Sequence, residues 1–363
     1  MNIVSRVDFR TEITALSPVS EKAAAEFRSA LPDLLSQVRK ALESGGFPPG
    51  EPPSAQQMEF VLDAQRFFGL TLASVFEFGL GDALADEMEW MARTFRGRGI
   101  GPSVLRRICR DWMIALHGAV GTPVLKETVP QLELISAHAD DFFSVPSRGQ
   151  AAPDPGSSTF LRHLLENRKD DAVQAALVHS AKHTIEATVK SFFLYSLEAI
   201  GLLWCDNRIS VAEEHLATAN ARWVASRFFA SLKRHSGRRQ SVSVSAVPGD
   251  EHSLGAELLS RYLDFRGWTI LFLGQSMPES ELIRALEKEK PGAAVITVGM
   301  IAHLPAFRRS VIELRNRMPD LRIFAATSRL QARPVLEALS DGVPGSFEAC
   351  DALLAETGKR HES

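Results

Sequence analysis

The sequence predicts an all-α region joined to an α/β domain built on a doubly wound parallel sheet. Three observations predict it. Residues 1–143 and 158–233 carry apolar side chains at three- and four-residue spacing, the pattern of amphipathic helices. Residues 242–357 instead alternate short apolar runs with helical segments, which indicates parallel strands with helices on both faces. Between the two helical stretches lies Ser144–Ser158, SVPSRGQAAPDPGSS, with three prolines, two glycines and almost no apolar content. Such a composition reads as a linker.

Taken in order, Ala24–Glu43, Gln56–Arg93 and Ser103–Ala119 are the helices of the first region, and GGFPPGEPPS at Gly45–Ser54 breaks it. No alternating segment there is long enough for a strand. Residues 158–233 contain no proline, and Ser191–Cys205 reads as a buried helix interrupted by Glu198. Ser210-Val211-Ala212-Glu213 has the S-x-x-E form of a capping box, so a helix starts at Ser210 and Asp206–Ile209 form the turn before it. The basic stretch Arg234–Ser241 is a second connection. Val242–Val247, Thr269–Leu273, Ala293–Val298 and Arg322–Ala326 are the strands. The expected organisation is a helical domain 1–143, a linker 144–157, four helices over 158–235 and the sheet over 241–358.

At 363 residues, with 45% hydrophobic and 23% charged, the chain has the balance of a folded protein of two or three domains. A net charge of −3 excludes a chain-wide basic footprint for nucleic acid, and DNA binding is not expected. Cys109, Cys205 and Cys350 lie too far apart for a disulfide framework or a paired-thiolate zinc site. The first ten residues lack a signal peptide's apolar core, and no stretch has the roughly 18 apolar residues of a membrane span. A cytoplasmic location is the simplest expectation.

Ligands of open parallel sheets sit at the carboxyl ends of the strands. The first strand runs into Val247-Pro248-Gly249-Asp250-Glu251-His252-Ser253-Leu254-Gly255 and then a helix over Ala256–Phe265. This is D-x-H-x-x-G at a strand-to-helix turn. His252 projects from the top of the sheet, and Asp250 is placed to hold its second ring nitrogen. A carboxylate so placed raises the basicity of a metal-ligating imidazole. A lone D-x-H is more often a loop histidine tied to a local acid. The wider string PGDEHSLGAELLSRYLDFRGWTILFLGQSMPESEL resembles the opening of cobalamin-binding domains, as in methionine synthase and the adenosylcobalamin photoreceptors. The resemblance implies a flavodoxin- or Rossmann-like domain with His252 as lower cobalt ligand, Asp250 as its orienter and Gly255 accommodating the nucleotide tail. It implies cofactor contacts at Ser253, at Thr297 (in the place of the family's Ser-x-Leu or Ser-x-Thr hydroxyl) and at Thr327. The family's Gly-Gly after the fourth strand is absent; Ala325-Ala326-Thr327-Ser328 stands there.

Trp204 is followed by nine residues and then Glu214-His215. W-x9-EH resembles the four-helix cap of the same photoreceptors. On that resemblance Trp204 shields the adenosyl group of adenosylcobalamin, and Glu214 and His215 hydrogen-bond it. Taken singly, a Trp at a helix end is more often core, and Glu-His in a first turn is more often solvated. The family's histidine after the Trp is Cys205 here, so its role falls to Cys205, to His163, His179, His183 or His215, or to no residue, with no stable adduct formed.

Arg93-Thr94-Phe95-Arg96-Gly97-Arg98, with Arg106, Arg107, Arg110, Trp112 and His117, gather arginines and aromatics in the first region. They suit a clamp on tetrapyrrole propionates as well as a solvated basic face. An all-helical, globin-like region before a cobalamin module is similar to the photocobilins, which pair cobalamin with biliverdin; Cys109 is the one cysteine here for covalent bilin attachment.

The expected function is a cytoplasmic light sensor and not an enzyme. Its partners are cobalamin and a bilin, and its output is a light-dependent homo-oligomer or a separate protein. The alternatives are a cobalamin carrier component of a methyltransferase or mutase, and a redox or haem sensor.

Overall fold

A computed structural model describes residues 8–47, 53–146, 151–235 and 240–358. Parts of the three expected connections (48–52, 147–150 and 236–239) lie outside the described residues. The chain divides into two compact units. One takes in the described residues up to 147 together with Cys205–Arg208, and the other takes in the rest.

The first unit is helical: α1 (Phe9–Ala15), α2 (Glu21–Glu43), α3 (Ala55–Phe78), α4 (Gly81–Gly97), α5 (Pro102–Ala119), α6 (Thr122–Ala137) and α7 (Ala139–Ser144). Ser20 caps α2, and Ser54 with Gln57 forms a capping box on α3. Phe27, Phe68 and Trp112 are fully buried between α2, α3 and α5. The single helix expected over Gln56–Arg93 is two. Gly79, at φ 67° in the left-handed region, ends α3 and starts the turn into α4.

In the second unit come α8 (Pro155–Leu165), α9 (Lys169–Ser180), α10 (Ile185–Thr188), a π turn (Val189–Leu194), α11 (Tyr195–Cys205) and α12 (Val211–Ala230). The elements α10, π turn and α11 run on without a break, so four helical rods result. Asp154 caps α8, which begins three residues before the expected 158. The Ser210–Glu213 capping box forms as the sequence predicts. Phe160, Phe193, Val224 and Phe228 fill the core of these helices, and Leu254 and Leu258 from the sheet domain complete it. Arg222 pairs with Glu257 at 2.7 Å, and Glu186 accepts hydrogen bonds from the Phe347 and Glu348 N–H groups.

The sheet domain follows: β1 (Ser241–Ala246), α13 (Leu254–Phe265), β2 (Thr269–Gly274), α14 (Glu279–Glu289), β3 (Ala293–Thr297), α15 (Leu304–Arg317), β4 (Arg322–Ala326), α16 (Arg333–Leu339) and α17 (Phe347–Gly358). All strands are parallel in the order β2-β1-β3-β4, with Val244 beside Val295 and Val295 beside Phe324. β1 and β3 are buried almost throughout, as central strands covered on both faces must be. α13 and α17 cover the face carrying Val242, Val244, Val295 and Phe324. Ile296, Ile323 and Ala325, of opposite parity, are buried too. The order reverses between β1 and β3. Ligands of open parallel sheets sit at such a reversal, at the carboxyl ends of the strands.

Candidate functional site

The D-x-H loop lies at that end of the sheet, between β1 and α13. Asp250 is fully buried at the end of the loop from β1. Its Oδ1 accepts the His252 backbone N–H at 2.9 Å and pairs with His252 Nδ1 at 2.8 Å. Its Oδ2 accepts the Gly299 N–H at 2.7 Å, across from the loop after β3. Burial alone would raise the Asp250 carboxyl. The hydrogen bonds from His252 and Gly299 outweigh it and hold the group below the usual carboxylate range. The bond to Asp250 raises the His252 imidazole above its ordinary value, against burial and the nearby Arg329 charge. With Nδ1 tied to the acid, Nε2 is the free nitrogen, and the side chain is 64% exposed.

Gly299 is a required glycine. A Cβ there would stand 2.9 Å from Asp250 Oδ2 and 3.0 Å from His252 Cβ. Its signal is three-dimensional, and the sequence reading passed over it. His303, also unmarked in that reading, brings Nε2 to 4.0 Å from Asp250 Oδ1.

The other predicted residues divide. Ser253 is buried and its hydroxyl donates to Gln275 Oε1. Thr297 Oγ1 lies 3.4 Å from the Ser245 carbonyl. Thr327 Oγ1 donates to the Val298 carbonyl at 2.8 Å. Gly255 faces open space, since a Cβ there would meet nothing within 4 Å. Trp204 is half-buried in the last turn of α11. Glu214 and His215 open α12; His215 Nδ1 pairs with Glu214 Oε2 at 2.6 Å, and Thr218 donates to Glu214 Oε1. The His215 side chain is 75% exposed. Gly201, one turn before Trp204 on the same helical face, likewise meets nothing within 4 Å. A glycine inside a helix costs about 0.5–1 kcal/mol against alanine, and that misfit was the available signal for it.

Cys205 is buried and hydrogen-bonded to Thr94, and burial pushes its thiol up. His163 is buried, and His179 bonds Thr188 Oγ1 and stacks on His183 at 4.2 Å. His215 is the open imidazole of α12.

The arginines of the first unit that suit a clamp or a solvated face are engaged with the protein itself. Arg93 grips Asp206 through two bonds of 2.7 and 2.6 Å, and Arg96 donates to the Phe143 and Val145 carbonyls. Arg98 lies over the Phe60 ring at 4.3 Å, and Arg106 pairs with Asp140. Arg107 is buried on Asp111 and the Ala41 and Gly46 carbonyls, and Arg110 is 3.6 Å from Asp111. Trp112 is core and His117 bonds its own helix at Met113. Cys109 is fully buried with its thiol pushed up, which makes it a poor nucleophile for bilin attachment.

Among the described residues no group of three or more His, Cys, Asp or Glu is placed to hold a bare metal ion. One oriented imidazole with a free Nε2 suits a metal whose remaining ligands arrive with it in a macrocycle. The space at Gly255 suits a bulky appendage. The donor set and the cradle therefore fit cobalt in a corrin. A cleft of about 650 Å³ lined by Gln240, Lys290, Gly292, Arg317 and Asp320 opens at the amino-terminal ends of the strands, at the other end of the sheet from His252.

Residues 241–343 match the family model of the B12 binding domain. The match supports cobalamin as the ligand of this sheet. No curated protein sequence matches the chain. Among solved structures, the monomethylamine corrinoid protein of Methanosarcina barkeri is 14% identical with a TM-score of 0.45, covering 55% of this chain and 96% of its own. A cobalamin-binding protein from Desulfitobacterium hafniense DCB-2 is 13% identical with a TM-score of 0.31, covering 55% and 97%. The methanol:cobalamin methyltransferase complex MtaBC of Methanosarcina barkeri is 16% identical with a TM-score of 0.30, covering 56% and 81%. No described helix is long and apolar enough to cross a membrane.

Proposed function

We propose that the chain is an adenosylcobalamin-dependent light sensor, with His252 as lower ligand and Trp204, Glu214 and His215 as its upper contacts. The observation that carries the reading is the Asp250–His252 pair, which leaves one oriented nitrogen free above the sheet. Bound adenosylcobalamin supplies a cobalt–carbon bond that light cleaves. Asp250 fixes the His252 tautomer, and the open space at Gly255 takes the nucleotide tail. Trp204 excludes water from the upper group, and the space at Gly201 leaves room for it. Glu214 and His215, bonded to each other without that group, can turn to its ribose or base. Only contacts that differ between two states bias a conformational equilibrium. These three residues are where contacts would be lost after light, and His215 stands in for the histidine the family carries after the Trp.

The proposal includes a light-dependent change of assembly and a biliverdin held without a covalent bond in the first unit. Three buried polar atoms there, Gln65 Oε1, Thr71 Oγ1 and Trp112 Nε1, have no hydrogen-bond partner. The test loads the full chain with adenosylcobalamin in the dark and illuminates it with green light. A changed visible spectrum together with a changed elution volume is expected; an unchanged spectrum overturns the sensor, and an unchanged elution volume removes the light-dependent change of assembly. Expression with a biliverdin supply should add red absorption; a chain without it removes the second pigment.

A corrinoid carrier for a methyltransferase or mutase is the second reading. It is favoured by the exposure of Val211, His215 and Leu216 on α12, since a carrier's upper face must open to substrates. Photolysis without any change of assembly would favour it.

A further inference from the structure

Asp250 is held from two sides, and only one of them is His252. The second hold, the Gly299 N–H, belongs to the Val298–Gly299 peptide. The carbonyl at the other end of that same peptide, Val298 O, accepts the Thr327 hydroxyl at 2.8 Å. Thr327 Oγ1 in turn accepts the Arg329 N–H at 3.0 Å. Arg329 Nε donates to the next carbonyl, Gly299 O, at 3.1 Å. Both peptides flanking Gly299 are thus pinned by the loop after β4.

We infer that Thr327 is a positioning residue for His252, acting through the Val298–Gly299 peptide and Asp250. The inference rests on the reading of His252 as lower ligand and names a residue that sets it. The order of bonds runs from the Arg329 N–H to Thr327 Oγ1. The Thr327 hydroxyl then donates to Val298 O, the Gly299 N–H donates to Asp250 Oδ2, and Asp250 Oδ1 faces His252 Nδ1. Each donor polarises the next. A hydroxyl on the Val298 carbonyl makes the Gly299 N–H at the far end of the same planar unit a stronger donor. Asp250 is fully buried, so its carboxylate has no water to fall back on, and its orientation follows the N–H groups that reach it. That orientation decides which imidazole nitrogen carries the proton and which stays free.

This gives the missing Gly-Gly a physical account. Thr327 and Ser328 stand after β4 where the family keeps two glycines, and the Thr327 side chain points its hydroxyl at the β3 loop. Thr327 is in this account an indirect contact of the cofactor. The Gly299 position, which admits no Cβ, is the link that lets a loop two strands from His252 reach it.

The test uses the full chain with Thr327→Val, which removes the hydroxyl at constant shape, and Thr327→Ser, which keeps it. In the protein without cobalamin, amide hydrogen exchange at Gly299 and the His252 ring tautomer are read by ¹⁵N NMR, above the pH where the ring is charged. Thr327→Val should raise Gly299 exchange about tenfold and mix the tautomers, while amides in the α13 core keep their protection. Thr327→Ser should restore both readouts. With hydroxocobalamin, Thr327→Val should weaken binding about 10-fold, the lower end of what partners of a metal ligand cost. Unchanged Gly299 exchange and an unchanged tautomer in Thr327→Val overturn the inference. So does a uniform loss of protection that Thr327→Ser does not rescue. If His252→Ala binds hydroxocobalamin as well as the parent while Thr327→Val still shifts the tautomer, the positioning stands and the ligand assignment fails.

Discussion

Asp250 is wholly buried and its carboxylate takes hydrogen bonds from His252 twice and from Gly299 once, whereas His215 is 75% exposed and bonded to its neighbour Glu214. The two sides of the candidate site are therefore built differently. The lower loop is organised before any ligand arrives, with a tautomer already chosen. The upper turn offers residues whose present partners are each other. A metal ligand gains from such preparation because ordering it on binding would cost affinity. A sensing contact gains from the opposite, because it must be made in one state and lost in the other.

The largest effect should come from the prepared side. His252→Ala should lower cobalamin affinity well beyond 10-fold and shift the spectrum of whatever still binds; retained affinity with an unchanged spectrum would break the comparison at its base. Asp250→Asn keeps the shape but removes the anion, and a loss of about 10–100-fold is expected. Gly299→Ala should do comparable damage by another route. Its methyl would press on Asp250 Oδ2, a forced contact of the kind that costs about 1–3 kcal/mol in urea denaturation. A Gly299→Ala chain as stable as the parent would show that the carboxylate has room to move.

The pH dependence sharpens the same contrast. His252 is raised by its bond to Asp250, so the pair's contribution to stability is fully present below the ordinary histidine value and fades as pH rises through the folded value. Asp250 is lowered, so its share is present above the ordinary carboxylate value and is lost as pH falls through its folded value. Without cobalamin the pair stabilises most between those limits. Ligation needs the neutral ring and the metal competes with the proton for it, so acid should detach His252 only below the pH at which the ring titrates without cobalamin. Absorption spectra of the loaded chain against pH would show it, and a transition above the titration of the unloaded ring would contradict ligation by His252.

How far the sequence reached follows the same division. β4 lies where its apolar run predicts, and β1 to β3 differ by a residue at their ends, because buried parallel strands announce themselves as short apolar runs. The Asp250–His252 pair was legible because its partners are two residues apart. Gly299 was not, since its partner carboxylate is 49 positions away and only the close approach of two loops makes the glycine necessary. The helix break at Gly79 was hidden because apolar spacing continues across it into α4. Arg93 looked like a tetrapyrrole clamp because Asp206, its partner, is 113 residues on.

The smallest predicted effects belong to the unprepared side, and they should be selective. Trp204→Ala should spare methylcobalamin binding and weaken adenosylcobalamin about 10-fold, the worth of one large aromatic contact; equal losses would make Trp204 core alone. Gly201 separates a reserved space from a packing accident. It lies inside α11, and a Cβ would meet nothing within 4 Å. Gly201→Ala should therefore stabilise the protein without cobalamin by about 0.5–1 kcal/mol, the ordinary helix gain. If the space above Gly201 is kept for the upper group, Gly201→Leu should lower adenosylcobalamin affinity while leaving hydroxocobalamin binding as it was. A Gly201→Leu chain that binds both as the parent does would mean that Trp204 shields some other part of the ligand, and the contrast between the two sides would then rest on His215 and Glu214 alone.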